Sequence, residues 1–123
     1  VHTDIALPTD HVPMFFDRMK QVFAEYDPDA TDTCVAHLGD GNIHYSVFPT
    51  QHDAAFKDGF MERIEDLVKS LGGSFSAEHG IGLSKKPSMA RRKDPVAVDV
   101  MRTLKSALDP KGILNPGKVL PDV

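Results

Sequence analysis

The 123-residue sequence predicts an α+β fold in which helices cover one face of an antiparallel sheet. Short stretches of alternating apolar residues indicate strands, and two long stretches with apolar residues at spacings of three and four indicate amphipathic helices. The third observation is the order of these stretches, strand-helix-strand-strand-helix-strand, because this order brings four strands into one sheet.

The first half of the chain supplies a strand, a helix and a hairpin. Residues 1–7 alternate partially and stop at Pro8, which indicates a strand. Apolar side chains then recur on one helical face through residues 12–26. Residues 32–38 and 42–48 are two further alternating runs that flank a glycine-rich turn, as in a hairpin.

The next part of the chain supplies a second long helix and a short strand. Residues 53–71 carry apolar side chains on one helical face and stop at Gly72-Gly73. Residues 74–77 predict a short strand, and residues 84–92 predict a short helical segment. The complete order is that of a ferredoxin-like split βαβ sheet with both long helices on one face.

A C-terminal helix and an extended tail follow this arrangement. Asp94 is the predicted N-cap of the helix, and Pro95 suits its first position. Residues 109–123 contain three prolines and two glycines, which predicts an ordered extended tail. The predicted buried row of the helix is Val98, Met101, Leu104 and Leu108.

Composition narrows the classes of function. The net charge is −4 and the longest basic run is Arg91-Arg92-Lys93, so we expect no nucleic-acid partner. A single cysteine, Cys34, rules out an internal disulfide and favours a reducing compartment, the cytoplasm. The chain starts at Val1, inside a predicted strand and without Met, so we expect a piece of a longer protein.

The segment His37-Leu-Gly-Asp-Gly-Asn-Ile-His44 places two histidines around a turn. Asp40-Gly41 favours a two-residue type I′ turn, because both central residues adopt positive φ. A turn centred there pairs His37 directly with His44 on one face of the sheet. The opposite, apolar face is then formed by Cys34, Ala36, Leu38, Ile43, Tyr45 and Val47.

A catalytic first-row metal usually takes three protein ligands, and Glu78-His79 is the natural source of the third. These two residues follow the short predicted strand, and Gly80 and Gly82 allow the backbone to pass close to a ligand. The residues alone leave two interpretations open. One is a metal site, and the other is a hairpin with two incidental histidines beside a solvated loop.

Three motifs occur together in this order: the segment 37–44, the segment Ala77-Glu-His-Gly-Ile-Gly82 with Lys85, and Leu108-Asp-Pro-Lys-Gly-Ile-Leu-Asn-Pro-Gly-Lys-Val119. Together they resemble the C-terminal cap domain of FAD-linked oxidases that act on 2-hydroxy acids. This family includes D-lactate and D-2-hydroxyglutarate dehydrogenases and the flavin subunit of glycolate oxidase. The resemblance covers essentially the whole chain.

The resemblance implies a divalent metal, with zinc expected and manganese also suited, held by His37, His44 and Glu78. It implies that His79 is the catalytic general base that takes the substrate's hydroxyl proton while hydride passes to the flavin. The implied reaction is oxidation of a D-2-hydroxy acid of the lactate, glycolate or 2-hydroxyglutarate class to the 2-oxo acid.

Further site residues follow from the same resemblance. Ser46 is a predicted substrate contact at a position where the family often carries Asn, and its reach is shorter. Lys85 is a second predicted substrate contact if its loop folds inward. The tail at Asn115-Pro116-Gly117-Lys118 is expected to dock on the flavin domain, which makes Asn115 the candidate cofactor-binding residue.

The resemblance also implies that residues 1–123 are the substrate domain of a larger enzyme whose FAD-binding domain is absent from this chain, so that the chain alone is inert. The alternative function is a stand-alone ferredoxin-like module that binds a small acid or metal without catalysis. A third interpretation is a dimerisation domain, because an exposed edge strand could pair with a second copy in a homodimer. The expected location is the cytoplasm, or the membrane periphery through the parent protein's electron acceptor.

Overall fold

The computed structural model describes residues 1–123 and contains three strands and four helices. The chain divides into two compact units, Val1–His79 and Gly80–Val123. The predicted α+β class is confirmed. The elements are β1 (His2–Ala6), α1 (Val12–Tyr26), β2 (Thr31–His37), β3 (Asn42–Phe48), α2 (Ala54–Ser70), α3 (Lys86–Arg92) and α4 (Pro95–Leu108).

The first unit is an antiparallel sheet with both long helices on one face. Its strand order is β1-β3-β2, so that β3 is central and β2 is an edge strand. The apolar stripes of α1 and α2 pack against side chains of β1 and β3, and each fully buried large side chain contributes about 1.5–3 kcal/mol. The buried core comprises Ile5, Leu7, Val12, Phe15, Met19, Ile43, Tyr45, Val47, Phe60, Ile64, Val68 and Leu71.

The second long helix forms where the apolar pattern predicts it. The Asp53 carboxylate accepts a hydrogen bond of 3.1 Å from the Phe56 N–H, which satisfies one of the free donors at the start of α2. Gly72 follows the helix with a φ of +77°, the left-handed conformation that commonly ends helices. Local signals therefore fix both ends of α2.

The predicted hairpin register is wrong by two residues. His37 pairs with Asn42, and His44 pairs with Val35, so the two histidines are diagonal neighbours and not direct partners. The connection is a four-residue loop, 38–41, in which three residues form a 3-10 turn and Gly41 adopts a φ of +67°. The Gly41 carbonyl also accepts a hydrogen bond of 2.9 Å from the Leu7 N–H, so a contact with the end of β1 stabilises the longer loop.

The predicted apolar face of the hairpin is confirmed for β3 but wrong for Cys34 of β2 and for Leu38, which lies in the loop. Ile43 and Tyr45 are fully buried, whereas Leu38 is 63% exposed and Cys34 is also exposed. The reason is that the buried core involves β1 and β3 but no fully buried residue of the edge strand β2.

The predicted strand at residues 74–77 is reduced to bridges with β1. Ser74 exchanges two backbone hydrogen bonds of 2.8 and 3.0 Å with Ala6, and the Ala77 N–H donates to the Asp4 carbonyl at 2.9 Å. The Ser74 hydroxyl bonds both the carbonyl and the N–H of Ser76. This local turn competes with a regular ladder, which explains why no full strand forms.

The second unit contains α3, α4 and the tail. The Asp94 side chain caps α4 by accepting a hydrogen bond from the Val96 N–H at 3.0 Å, as predicted. The predicted buried row on α4 is only partly correct, because Val98 is buried but Leu104 and Leu108 are 55% and 80% exposed. No helix combines the length and apolar character that crossing a membrane requires.

Candidate metal and substrate site

The candidate site lies on the face of the sheet opposite the one that packs against α1 and α2. Strand alternation puts Ile43 and Tyr45 into the core, so Asn42, His44 and Ser46 project to the other side. On β1 the residue opposite His44 is Asp4. This face therefore collects polar side chains, while the core remains apolar.

The structure brings together the three predicted metal ligands. His44 Nε2 lies 3.0 Å from Glu78 Oε1, and His37 Nε2 lies 3.6 Å from the same oxygen. One donor atom from each side chain lies within 4.8 Å of the other two. The imidazole rings of His37 and His44 are 5.8 Å apart, in an edge-to-face arrangement. Metal binding by these three residues stays a prediction.

The two histidines share a face of the sheet despite the wrong register. Side chains alternate along a strand, so a register change of two residues returns each side chain to the same face. His37 therefore still projects beside His44, two residue pairs closer to the loop. A change of one residue would have placed the two histidines on opposite faces.

His79, the predicted general base, lies beside the same three residues. Its ring stacks on the His44 ring with centroids 4.6 Å apart and planes 12° apart. Its Nε2 lies 3.9 Å from Glu78 Oε1, and 62% of its side chain is exposed. The imidazole can therefore be reached from solvent while it contacts the site.

Asp4 is a site residue that the sequence interpretation did not include. It is only 2% exposed, and its Oδ2 accepts hydrogen bonds from the backbone N–H groups of Glu78, at 3.0 Å, and His79, at 2.7 Å. These bonds hold residues 78 and 79 against the sheet. The one signal in the sequence is an acidic residue inside an apolar strand, but only the pairing with β3 shows that it faces His44.

The other predicted residues lie in different parts of the chain. Ser46 is on the histidine face of β3, and its hydroxyl is 2.8 Å from Nδ1 of His2. Lys85 directly precedes α3, and Asn115 lies in the tail with a φ of +43°. Both belong to the unit Gly80–Val123, so their predicted roles remain predictions.

Two groups of side chains could hold a cation, and they share His44. One is His37, His44 and Glu78, and the other is Asp4, His44 and His79. His44 uses different nitrogens in each, because Nε2 faces Glu78 while Nδ1 lies 3.4 Å from Asp4 Oδ1. The first group is the better candidate for chemistry, because His37 and Glu78 are exposed and leave a coordination position open to a substrate.

Comparison with known proteins gives the chain's family. Residues 1–119 match the family model described as FAD linked oxidases, C-terminal domain. D-2-hydroxyglutarate dehydrogenase from Stutzerimonas stutzeri is 32% identical over 123 residues, which cover 94% of this chain and 26% of that protein.

Two other relatives are similar over the same region. Mitochondrial D-2-hydroxyglutarate dehydrogenase from Bos taurus is 38% identical over 96% of this chain and 21% of its own length. D-lactate dehydrogenase from Anaerostipes hadrus is 34% identical over 94% of this chain and 25% of its own length. The chain thus spans about a quarter of the length of these relatives. With the family model matched over residues 1–119, the chain belongs to the FAD-linked oxidase C-terminal domain family.

Proposed function

We propose that this chain is the substrate- and metal-binding part of an FAD-dependent dehydrogenase that oxidises a D-2-hydroxy acid to the 2-oxo acid. The observation that carries the proposal is the convergence of donor atoms from His37, His44 and Glu78 on the open face of the sheet. The printed names of the relatives, D-2-hydroxyglutarate and D-lactate dehydrogenase, support this substrate class.

The donor set fits a divalent first-row metal. Tetrahedral zinc with bonds of about 2.1 Å separates its donor atoms by roughly 3.4 Å. The two measured separations, 3.0 Å from His44 Nε2 and 3.6 Å from His37 Nε2 to Glu78 Oε1, lie on either side of this value. Two imidazoles and one carboxylate also suit manganese and other first-row ions. We therefore assign His37, His44 and Glu78 as the metal ligands and zinc as the expected ion.

When bound, the metal would supply Lewis-acid polarisation of the substrate's hydroxyl and carboxylate oxygens, and the flavin would supply the acceptor for the Cα hydride. The residues of this chain orient the substrate and accept the proton. His79 is the proposed general base, which takes the hydroxyl proton at Nε2. Its exposed ring, stacked on His44, lies within reach of a substrate bound at the ligands.

Ser46, Lys85 and Asn115 complete the proposal. The Ser46 hydroxyl faces the same side of the sheet as His44 and is the proposed hydrogen-bonding group for the substrate. Lys85 is proposed as a cationic contact for the substrate carboxylate, and Asn115 as a contact with the flavin. These two assignments rest on the family motif alone.

Two partners belong to the proposal. The first is the FAD-binding domain of the same longer protein, so the isolated chain should show neither flavin absorbance nor dehydrogenase turnover. The second is another copy of the chain, because β2 has a neighbour in the sheet on one side only. Light scattering tests the homodimer, and a monomer at all concentrations would refute it.

The metal assignment is tested by zinc titration of the metal-free chain in a calorimeter. We expect one zinc per chain, and the His37→Ala, His44→Ala double variant should lose this binding. His52→Ala is the matched control, because His52 is an exposed histidine in the loop before α2. At a zinc concentration 100 times Kd, binding should stabilise the chain by about 2.7 kcal/mol. Retention of zinc binding by the double variant would refute the assignment.

The role of His79 is tested in the longer, flavin-containing protein. His79→Gln should lower kcat by about 10²–10⁴-fold, because the variant lacks a proton acceptor at the reacting hydroxyl. The same variant should retain zinc binding. Unchanged turnover would remove His79 as the base and leave the metal assignment intact.

A further inference from the structure

Asp4 is a buried carboxylate between two imidazoles of the candidate site. It lies on β1, directly opposite His44 of β3, and is 2% exposed. A buried carboxylate is costly unless polar groups surround it. Here the N–H groups of Glu78 and His79 donate to Oδ2, so the carboxylate is fixed in position by the backbone.

The two imidazoles present the same edge to this carboxylate. Nδ1 of His44 lies 3.4 Å from Asp4 Oδ1, and Nδ1 of His79 lies 3.9 Å from Asp4 Oδ2. The opposite nitrogens, both Nε2, point to Glu78 Oε1 at 3.0 and 3.9 Å. The stacked rings therefore lie between two carboxylates, Asp4 on the buried side and Glu78 on the exposed side.

The inner nitrogen of His44 lies close to the Asp4 carboxylate. Nδ1 of His44 is buried and makes no hydrogen bond, and Asp4 Oδ1 lies 3.4 Å from it. Asp4 beside Nδ1 favours hydrogen on Nδ1, whereas Glu78 Oε1, 3.0 Å from Nε2, favours hydrogen on Nε2 as long as no metal is bound there. A histidine that binds a metal through Nε2 carries its hydrogen on Nδ1, so Asp4 stabilises the tautomer that metal binding requires.

We infer that Asp4 is a positioning residue that sets the tautomer of both His44 and His79. For His44 this directs the Nε2 lone pair to the metal, and for His79 it directs the Nε2 lone pair to the substrate hydroxyl. Asp4 also holds the 78–79 backbone, so one side chain orients a ligand, the base and the segment that carries Glu78. The inference extends the proposed function and rests on its metal site.

The test compares Asp4→Asn with the matched control Asp27→Asn in the full chain. Asp27 is also a buried carboxylate, with 4% of the residue exposed, and it accepts a hydrogen bond of 2.7 Å from the Thr50 N–H. Unlike Asp4, it shows no contact with an imidazole. Zinc affinity is measured by calorimetry. Nitrogen–proton correlation NMR of the histidine rings reports the tautomers without zinc, in Glu78→Ala so that the Glu78 carboxylate no longer faces Nε2 of either ring.

We expect Asp4→Asn to weaken zinc binding by about 10–100-fold. In Glu78→Ala the spectrum should show hydrogen on Nδ1 of His44 and His79, and adding Asp4→Asn should shift both rings toward the Nε2–H form. Asp27→Asn should change neither readout, which separates positioning from a general loss of structure.

Failure of this inference is distinguishable from failure of the metal site. Wild-type zinc binding together with unchanged affinity in folded Asp4→Asn would overturn the role of Asp4 alone. Absence of zinc binding in the wild type would overturn the metal site, and the tautomers would still decide whether Asp4 orients the rings. If Asp4→Asn does not fold, the Glu78→Ala spectrum suffices, because an Nε2–H tautomer at His44 in that variant refutes the inference.

Discussion

Replacing Gly41 with alanine tests how the histidine hairpin is fixed. Gly41 has a φ of +67°, and this conformation costs an alanine about 1–2 kcal/mol. A Cβ at this position would lie 1.9 Å from the Leu7 carbonyl oxygen, far inside van der Waals contact. The backbones must therefore separate, which removes the hydrogen bond from the Leu7 N–H and costs about 0.5–1.5 kcal/mol. Together these two costs give an expected loss of stability of about 1.5–3.5 kcal/mol.

The assay is urea unfolding followed by circular dichroism, with Gly39→Ala as the matched control. Gly39 lies in the same loop, but its φ is not positive and an added Cβ would meet no atom within 4 Å. Gly39→Ala should change the free energy of unfolding by no more than about 0.5 kcal/mol. Gly41→Ala should also weaken zinc binding, because the shifted loop connects His37 to β3.

The two variants together can refute the reasoning. If Gly41→Ala is as stable as the wild type, then the loop is not held against the end of β1. If Gly39→Ala is destabilised equally, then the effect is a general property of the loop and not of the contact with Leu7.

Three further predictions concern the core and two ionisable groups. Phe60→Ala should reduce the free energy of unfolding by about 3–5 kcal/mol, because Phe60 is fully buried. Leu108 is 80% exposed, so the control Leu108→Ala should change this free energy by less than about 0.5 kcal/mol. Urea unfolding measures both values. The hydrogen bond from Lys105 holds the pKa of Asp109 below its usual value, so the stability that Asp109 contributes is present above about pH 4 and is lost as pH falls further. The protection of the amides bound to Asp109, measured as their exchange rate relative to the intrinsic rate at the same pH, should therefore fall in acid, and Asp109→Asn should remove this pH dependence. Burial raises the pKa of Tyr45 above its usual value of about 10. The phenol therefore ionises at lower pH in the unfolded chain than in the folded one. The stability that Tyr45 contributes to the fold is thus present below about pH 10 and is lost as the pH rises further. Urea midpoints between pH 8 and 11 should fall less steeply in Tyr45→Phe, and equal slopes would contradict this prediction.

Local patterns were sufficient to predict the helices. The predicted range 53–71 encloses the observed α2, and Asp94 caps α4 as its position in the sequence indicates. Capping and helical periodicity depend on residues within a few positions of each other. The exposed Leu104 and Leu108 mark the limit, because periodicity identifies an apolar row but does not say what covers it.

The hairpin register could not be predicted from the turn residues. Asp40-Gly41 favours a two-residue turn, but the longer loop gains a hydrogen bond from Leu7, more than 30 residues earlier in the chain. Likewise, the Ser74 hydroxyl converts a predicted strand into a local turn. Both errors come from hydrogen bonds that a pattern of apolar residues does not contain.

The proximity of the candidate ligands depends less on the exact register than on which face each side chain occupies. His37 and His44 share a face for any even register change, so the prediction that they lie together survives an error of two residues. Asp4 is different, because its position opposite His44 follows only from the pairing of β1 with β3. The residues that bear the proposed chemistry were therefore visible in the sequence, whereas the carboxylate that orients them required the sheet. Because the donors and Asp4 all belong to the unit Val1–His79, zinc affinity and imidazole tautomers test the structural core of the proposal independently of turnover.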